Sequence, residues 1–256
     1  MISAERRKRI YELALQRGSV SVSELAHELD AAENTIRADL DAMDKEGKLV
    51  RSRGGAVLKE SGQPALPYSQ IRDANMQQKA LIAAAAVQFL PESGPVFINA
   101  GTTTYQLCLR FSELHKFDLT TNSPEIALYA TGRGLDVSLV GGKLIAESME
   151  TDGSLDIEML ESVYWDAAFI GLTAIDIEHG ITSINIPCSQ MEAAVMRNSR
   201  LVVGLCDSSK LGRFARARAG DITMLNVLIT DSGADPEMIK SIREMGVEVI
   251  VAEVEG

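Results

Sequence analysis

The chain of 256 residues is 46% hydrophobic and 24% charged, enough for one large core and a small second module. No apolar run is long enough to cross a bilayer and the N-terminus passes straight from charge into a helical pattern, so a cytoplasmic protein with no membrane partner is expected. The net charge of −11 lies wholly beyond residue 60, because residues 1–60 carry 11 Lys/Arg against 11 Asp/Glu and the remainder 14 against 25; this excludes a surface that coats nucleic acid indiscriminately but leaves room for a small docking face.

Cys108, Cys188 and Cys206 are odd in number and far apart, so reduced core thiols are expected. His27, His115 and His179 share no ligand-like spacing. Neither a metal site nor a cofactor is expected.

In chain order, residues 4–16 place Ile10, Leu13 and Ala14 at helical spacing before Gly18. Ser21-Val22-Ser23-Glu24 has the Ser-x-x-Glu form of a capping box and opens a short helix with Leu25, Ala26 and Leu29 inward. A third helix, over about 33–46, carries Ile36, Leu40 and Met43 as one buried stripe and ends at Gly47. Two short segments, 48–53 and 56–58, flank Gly54-Gly55 and predict a β-hairpin.

Three helices, the last two closely joined, followed by a hairpin give the order of a winged helix-turn-helix over residues 1–58. The third helix of such a unit enters a major groove. Its outward residues are Asn34, Thr35, Arg37, Ala38 and Asp41. Asn34 and Arg37 are placed to read base edges, Thr35 to hold a phosphate, and Arg51 and Arg53 to grip the backbone from the wing. With Ser23 these are the candidate DNA contacts. The same pattern also fits a helical bundle with a solvated polar face.

Ser21 to Ala26, Asn34 to Leu40 and Gly47 to Ala56, with the spacing between them, resemble the DeoR family of bacterial transcriptional regulators. Two positions depart from that family: Ala38 stands where a second arginine is usual, and Ala32 where a serine N-cap is common. The first removes a phosphate or base contact, and the second a cap worth roughly 0.5–2 kcal/mol.

Residues 59–75 are polar, with Gly62, Pro64 and Pro67, and predict a linker into a helix starting near Met76. Beyond it, over 76–256, helical and strand patterns alternate. Strands are expected at 95–99, 118–121, 137–140, 167–171, 201–206, 227–230 and 247–251. Helices are expected at 77–90, 103–113, 124–131, 187–199 and 236–245. Such alternation implies an α/β domain with a mostly parallel sheet, and ligands then sit beyond the C-terminal ends of the strands.

Those ends read Asn99-Ala100-Gly101-Thr102-Thr103, Thr121-Asn122-Ser123, Gly141-Gly142, Ile170-Gly171 and Cys206-Asp207-Ser208-Ser209-Lys210. Small residues let a ligand approach the backbone, and hydroxyls, amides and Lys210 supply donors, so a polar, phosphorylated ligand is expected. Asp152, Asp176, Glu192 and Asp207 are each open to two readings, a group that holds the ligand's hydroxyls or a base for proton transfer. Each end taken alone also fits an ordinary turn, with Thr102 or Thr103 as a plain N-cap.

This half also resembles the DeoR-family effector domain, through Ala100-Gly101-Thr102-Thr103, Thr121-Asn122-Ser123, Gly141 to Leu144, Asp166 to Gly171 with Asp176, Met191-Glu192-Ala193 and Asp207 to Lys210. The resemblance implies a fold like that of ribose-5-phosphate isomerase and a sugar phosphate as effector. Asn99 and Cys206 replace a usual aspartate and alanine. It further implies a regulator, most often a repressor, that binds double-stranded operator DNA as a dimer or tetramer. A sugar-phosphate isomerase or deaminase with a DNA-binding appendage is the alternative. The isomerases carry Asp-Gly-Ala-Asp where this chain has Ile170-Gly171-Leu172-Thr173, so no catalytic residue is expected.

Overall fold

The structure is a computed structural model that describes residues 3–17, 19–46, 48–52, 54–58, 74–112, 114–146 and 148–253. The chain divides into two compact units, Met1–Pro67 and Tyr68–Gly256.

In the first unit, α1 (Ser3–Arg17), α2 (Val22–Glu28) and α3 (Glu33–Lys45) close over Ile10, Leu13, Leu25, Ile36, Leu40 and Met43. The expected stripe of α3 is the buried one. The capping box starts α2 as expected, with Ser21 Oγ accepting from Glu24 N–H at 3.2 Å. Ala32 gives α3 no side-chain cap. The expected hairpin is β2 (Leu49–Ser52) and β3 (Gly55–Leu58), but β1 (Ser19–Ser21) adds an antiparallel strand in the order β1-β3-β2. Three residues are too few to show a period of two in the sequence.

The second unit is built on a seven-stranded sheet of β4 (Pro95–Ile98), β5 (Asp118–Thr121), β6 (Val137–Leu139), β9 (Ala167–Gly171), β12 (Val202–Leu205), β14 (Val227–Asp231) and β15 (Glu248–Ala252), in the order β15-β14-β12-β9-β4-β5-β6. Every neighbouring pair is parallel. The apolar runs alternate between two cores. Phe97, Ala168, Ile170, Val202 and Leu228 face α7 (Ile157–Ser162), α8 (Ile186–Arg197) and α9 (Pro236–Glu244). Val96, Ile98, Phe169, Val203 and Ile229 face α4 (Met76–Ala86), α5 (Thr102–Cys108) and α6 (Pro124–Gly132).

The expected elements stand within a few residues of these bounds, with one large difference. The helix expected over 103–113 stops at Cys108, and Gly101 rather than Thr102 or Thr103 is its N-cap. Helix α7 and two small antiparallel pieces were not expected. These are β7 (Leu144–Ile145) with β8 (Glu150–Thr151), and β10 (Ala174–Asp176) with β11 (Gly180–Ser183) and β13 (Ala217–Gly220).

The chain order fixes where a ligand meets the sheet. β4 runs outward through β5 to β6, then the chain returns to place β9 on the other side of β4. The β4/β9 gap is therefore the switch point of the sheet, where parallel α/β domains open a crevice at the C-terminal ends of the strands.

Candidate functional site

Register brings the strand ends level, with Ile98 opposite both Thr121 and Phe169, and Leu205 opposite both Gly171 and Ile229. Asn99 closes the switch point with two hydrogen bonds from its side-chain amide to the Gly171 backbone. Its Oδ1 accepts from Gly171 N–H at 2.7 Å, and its Nδ2 donates to the Gly171 carbonyl at 3.2 Å. An aspartate here would lack the second bond, because an ionised carboxylate has no proton to donate to the Gly171 carbonyl.

Asn122 acts next along the rim. Its Oδ1 accepts from Ala100 N–H at 2.7 Å and its Nδ2 donates to the Thr151 carbonyl at 2.9 Å. Thr121 Oγ1 accepts from Ser123 N–H, and Ser123 Oγ caps α6 by accepting from Ile126 N–H. All three side chains are buried and committed to shaping the rim. Thr104 is committed likewise, donating to the carbonyls of Asn99 and Gly101 at 2.8 and 2.9 Å.

Thr102 is half-buried and Thr103 buried, and neither hydroxyl makes a hydrogen bond among the described residues. The first N–H groups of α5 lack intrahelical partners as well. Because α5 is short, an anion at this loop would meet local donors rather than a long helix dipole.

On the β6 side, Gly141 N–H donates to Asp156, and Asp152 Oδ1 accepts from Lys143 N–H, Ser154 N–H and Ser154 Oγ at 3.0, 3.1 and 2.7 Å. Burial alone would raise the Asp152 pKa, but these donors outweigh it and hold the carboxyl below its ordinary range. Gly142 has φ 141°, and a Cβ there would lie 2.9 Å from Gly153 N, so only glycine fits.

Glu192, from α8, is buried near the Asn99 end of the rim, and Ser183 Oγ donates to it at 3.3 Å. Burial, followed by the charge of Glu150, pushes its pKa up to about 8, against hydrogen bonds from Ser183 and Asn99. Burial likewise raises Glu150. Glu192 is therefore mostly protonated at neutral pH, a form that has a proton to donate and does not repel an anion.

On the β12 side, Asp207 caps a 3-10 turn (Ser208–Lys210) that carries Lys210. Its Oδ1 accepts from Ser209 N–H and Ser209 Oγ, and at 3.1 Å from Asn75 Nδ2. Lys210 is half-buried. Sequence reasoning passed over Lys79, Asn75 and Glu150. Among the described residues Lys79 is the one buried cation, and its mark in the sequence is a lone charge at the head of the alanine-rich run of the helix Met76–Ala86.

In the first unit, Ser23, Asn34 and Arg37 are exposed, with Thr35 half-buried. Arg37 reaches Glu33 at 2.6 Å and Asn34 Oδ1 at 3.1 Å, an exposed pairing that a phosphate or base edge can displace. Arg51 is more committed: Nε pairs with Asp41 of α3 at 2.8 Å, and a terminal nitrogen donates to the Gly55 carbonyl. It therefore ties the wing to α3. Arg53 lies outside the described residues. Asp39, buried on α3 and unplaced by the sequence, takes Arg6 at 2.6 Å and Arg7 at 2.9 Å from α1.

No metal-holding cluster and no helix long and apolar enough to cross a membrane occurs among the described residues.

A winged helix-turn-helix joined to a parallel α/β domain with a donor-lined rim defines a one-chain transcriptional regulator. Residues 6–62 match the DeoR-like helix-turn-helix domain and residues 74–232 the DeoR C-terminal sensor domain, so the chain belongs to the DeoR family. It is 32% identical over 250 residues to the HTH-type transcriptional regulator GlpR of Haloferax volcanii, covering 98% of each chain. It is 28% identical to the putative aga operon transcriptional repressor of Escherichia coli O157:H7, covering 97% of this chain and 94% of that one. It is 26% identical to the glycerol-3-phosphate regulon repressor of Escherichia coli K12, covering 91% and 92%. Among solved structures, ribose 5-phosphate isomerase from Plasmodium falciparum aligns over 52% of each chain at 18% identity, with a TM-score of 0.38.

Proposed function

We propose that this regulator is a cytoplasmic, non-enzymatic repressor of a carbohydrate catabolic operon. It docks α3 of paired copies into operator DNA and loses affinity when a phosphorylated sugar or related polyol phosphate fills the rim. The observation that carries the ligand class is the pair of unengaged hydroxyls on Thr102 and Thr103 beside the switch point. Ala100, Gly101 and Gly171 allow the phosphate close to the backbone, and Lys210 supplies charge. Gly141, Gly142, Asp152, protonated Glu192 and Asp207 surround the hydroxylated end. Thr121, Asn122 and Ser123 shape the rim from behind.

The names of the two Escherichia coli relatives, repressors of the aga operon and of the glycerol-3-phosphate regulon, support a carbohydrate or polyol-phosphate effector. The run Ile170-Gly171-Leu172-Thr173 supports binding without turnover, since it offers no acid beside the switch point. A thermal-shift screen against phosphorylated sugars and polyols tests the ligand class, because a bound ligand raises stability with its concentration. A phosphorylated compound is expected to raise the midpoint more than its unphosphorylated counterpart. Equal or absent shifts across the panel would overturn the reading.

A further inference from the structure

Asn75 stands between the segment 59–73, which leads to the DNA-binding module, and the first turn of α4. Its backbone is left-handed, with φ 53° and ψ 34°. Asparagine tolerates that region better than most residues, though still with strain. As an N-cap it would ordinarily spend its side chain on the N–H groups of its own helix. It makes no such bond. Its Nδ2 instead donates at 3.1 Å to Asp207 Oδ1, 132 positions along the chain.

Both ends of that bond are positioned to matter. The Asn75 carbonyl accepts from Lys79 N–H at 3.0 Å, and α4 packs against α5, β12, β14 and β15, so the helix side of Asn75 is anchored. Asp207 caps the turn carrying Ser209 and Lys210. A ligand that recruits Lys210 or Ser209 shifts this turn and withdraws the acceptor from Asn75. The strained residue then relaxes, and the direction in which the chain leaves α4 changes with its φ and ψ.

We propose that the Asn75–Asp207 hydrogen bond is the coupling that passes the state of the effector rim to the segment bearing the DNA-binding module, an inference that rests on the effector reading above. Asn75 is a positioning residue in this scheme and does not itself contact the effector. Two variants separate its backbone from its amide. Asn75→Gly removes the donor and leaves the backbone free to enter or leave the left-handed region without strain, while Asn75→Asp keeps the shape and sets a carboxylate against Asp207.

The test measures binding of the full chain, without added ligand, to a labelled duplex of its own upstream DNA. Both variants are expected to lose at least about five-fold in operator affinity, the lower end of ordinary coupling between sites. The thermal midpoint of Asn75→Gly is expected to stay at the wild-type value. Wild-type operator affinity in Asn75→Gly overturns the proposal. So does a loss of affinity that only follows a loss of thermal stability in both variants, since the bond is then merely structural. A panel of sugar phosphates added to wild-type protein judges the effector reading separately. If no member raises its midpoint that reading fails, while the ligand-free comparison still decides the coupling.

Discussion

Asp39 shows how a single residue can hold the DNA-binding face in place. Burial alone would raise its pKa, but the hydrogen bonds and charges of Arg6 and Arg7 outweigh burial and lower it from the ordinary 3.8. A depressed acid stabilises the fold fully above its unfolded value and loses that contribution as pH falls through the folded one. The first unit is therefore expected to loosen below about pH 4. Asp39→Asn should cost about 3 kcal/mol, because it leaves a partly buried arginine pair without its counter-charge. Hydrogen exchange of residues 10–43 in the full chain reads this loss, and unchanged exchange would contradict it. Glu192 has the opposite sign. Its folded value is raised to about 8 from an ordinary 4.5, so ionisation is resisted and the sensor loses stability as pH climbs through that interval. Glu192→Gln should flatten the fall of the midpoint over the same range, and a slope equal to wild type would show that Glu192 ionises freely. Arg37→Ala, by contrast, should leave stability alone and cost about 1–3 kcal/mol of base discrimination. A footprint and sequence preference unchanged from wild type would remove Arg37 from base readout.

At the scale of elements, the wing depends on α3 through Arg51. The Asp41 carboxylate and the Gly55 carbonyl are reached by different nitrogens of one guanidinium, which a lysine cannot reproduce. Arg51→Lys keeps the charge, yet is expected to speed amide exchange across residues 49–52 and 55–58; protection equal to wild type would show that the fork does not hold the wing. Which elements the sequence disclosed follows from what each buries. Pro95–Ile98, Ala167–Gly171, Val202–Leu205 and Val227–Asp231 are covered on both faces, so their apolar runs announce a parallel sheet. Ala174–Asp176 and Ala217–Gly220 are short and mixed, and pair outside that sheet, so nothing periodic marks them. Helix α5 ends early because Arg110 N–H bonds the Leu107 carbonyl and Phe111 N–H that of Cys108, tightening the chain where the residues still look helical. The strand-end donors were legible as residue types. What the sequence withheld was which of them are already spent: Asn122 and Thr104 bond the backbone, while Thr102 and Thr103 do not. Contacts such as Arg6 to Asp39 and Asn75 to Asp207 join residues 33 and 132 positions apart, beyond the reach of any local pattern.

At the scale of the whole molecule, an acidic sensor and a charge-balanced head divide the labour between a small ligand and a duplex. A DNA-reading α3 in each of two copies implies half-sites about 34–36 Å apart or a multiple of that. Light scattering is expected to give at least a dimer at operator-binding concentrations, and a monomer that binds a single half-site with full affinity would contradict paired docking. A phosphorylated ligand held in the rim at Thr102 and Thr103 is expected to weaken DNA binding. The most direct measurement is operator affinity with and without the phosphorylated compound that most stabilises the wild-type protein, repeated on the Thr102→Ala, Thr103→Ala double variant. The wild type should lose about ten-fold in affinity, equivalent to ~1.4 kcal/mol of coupling. The double variant should bind DNA within a few-fold of wild type and ignore the compound; an equal response in both proteins would contradict the account.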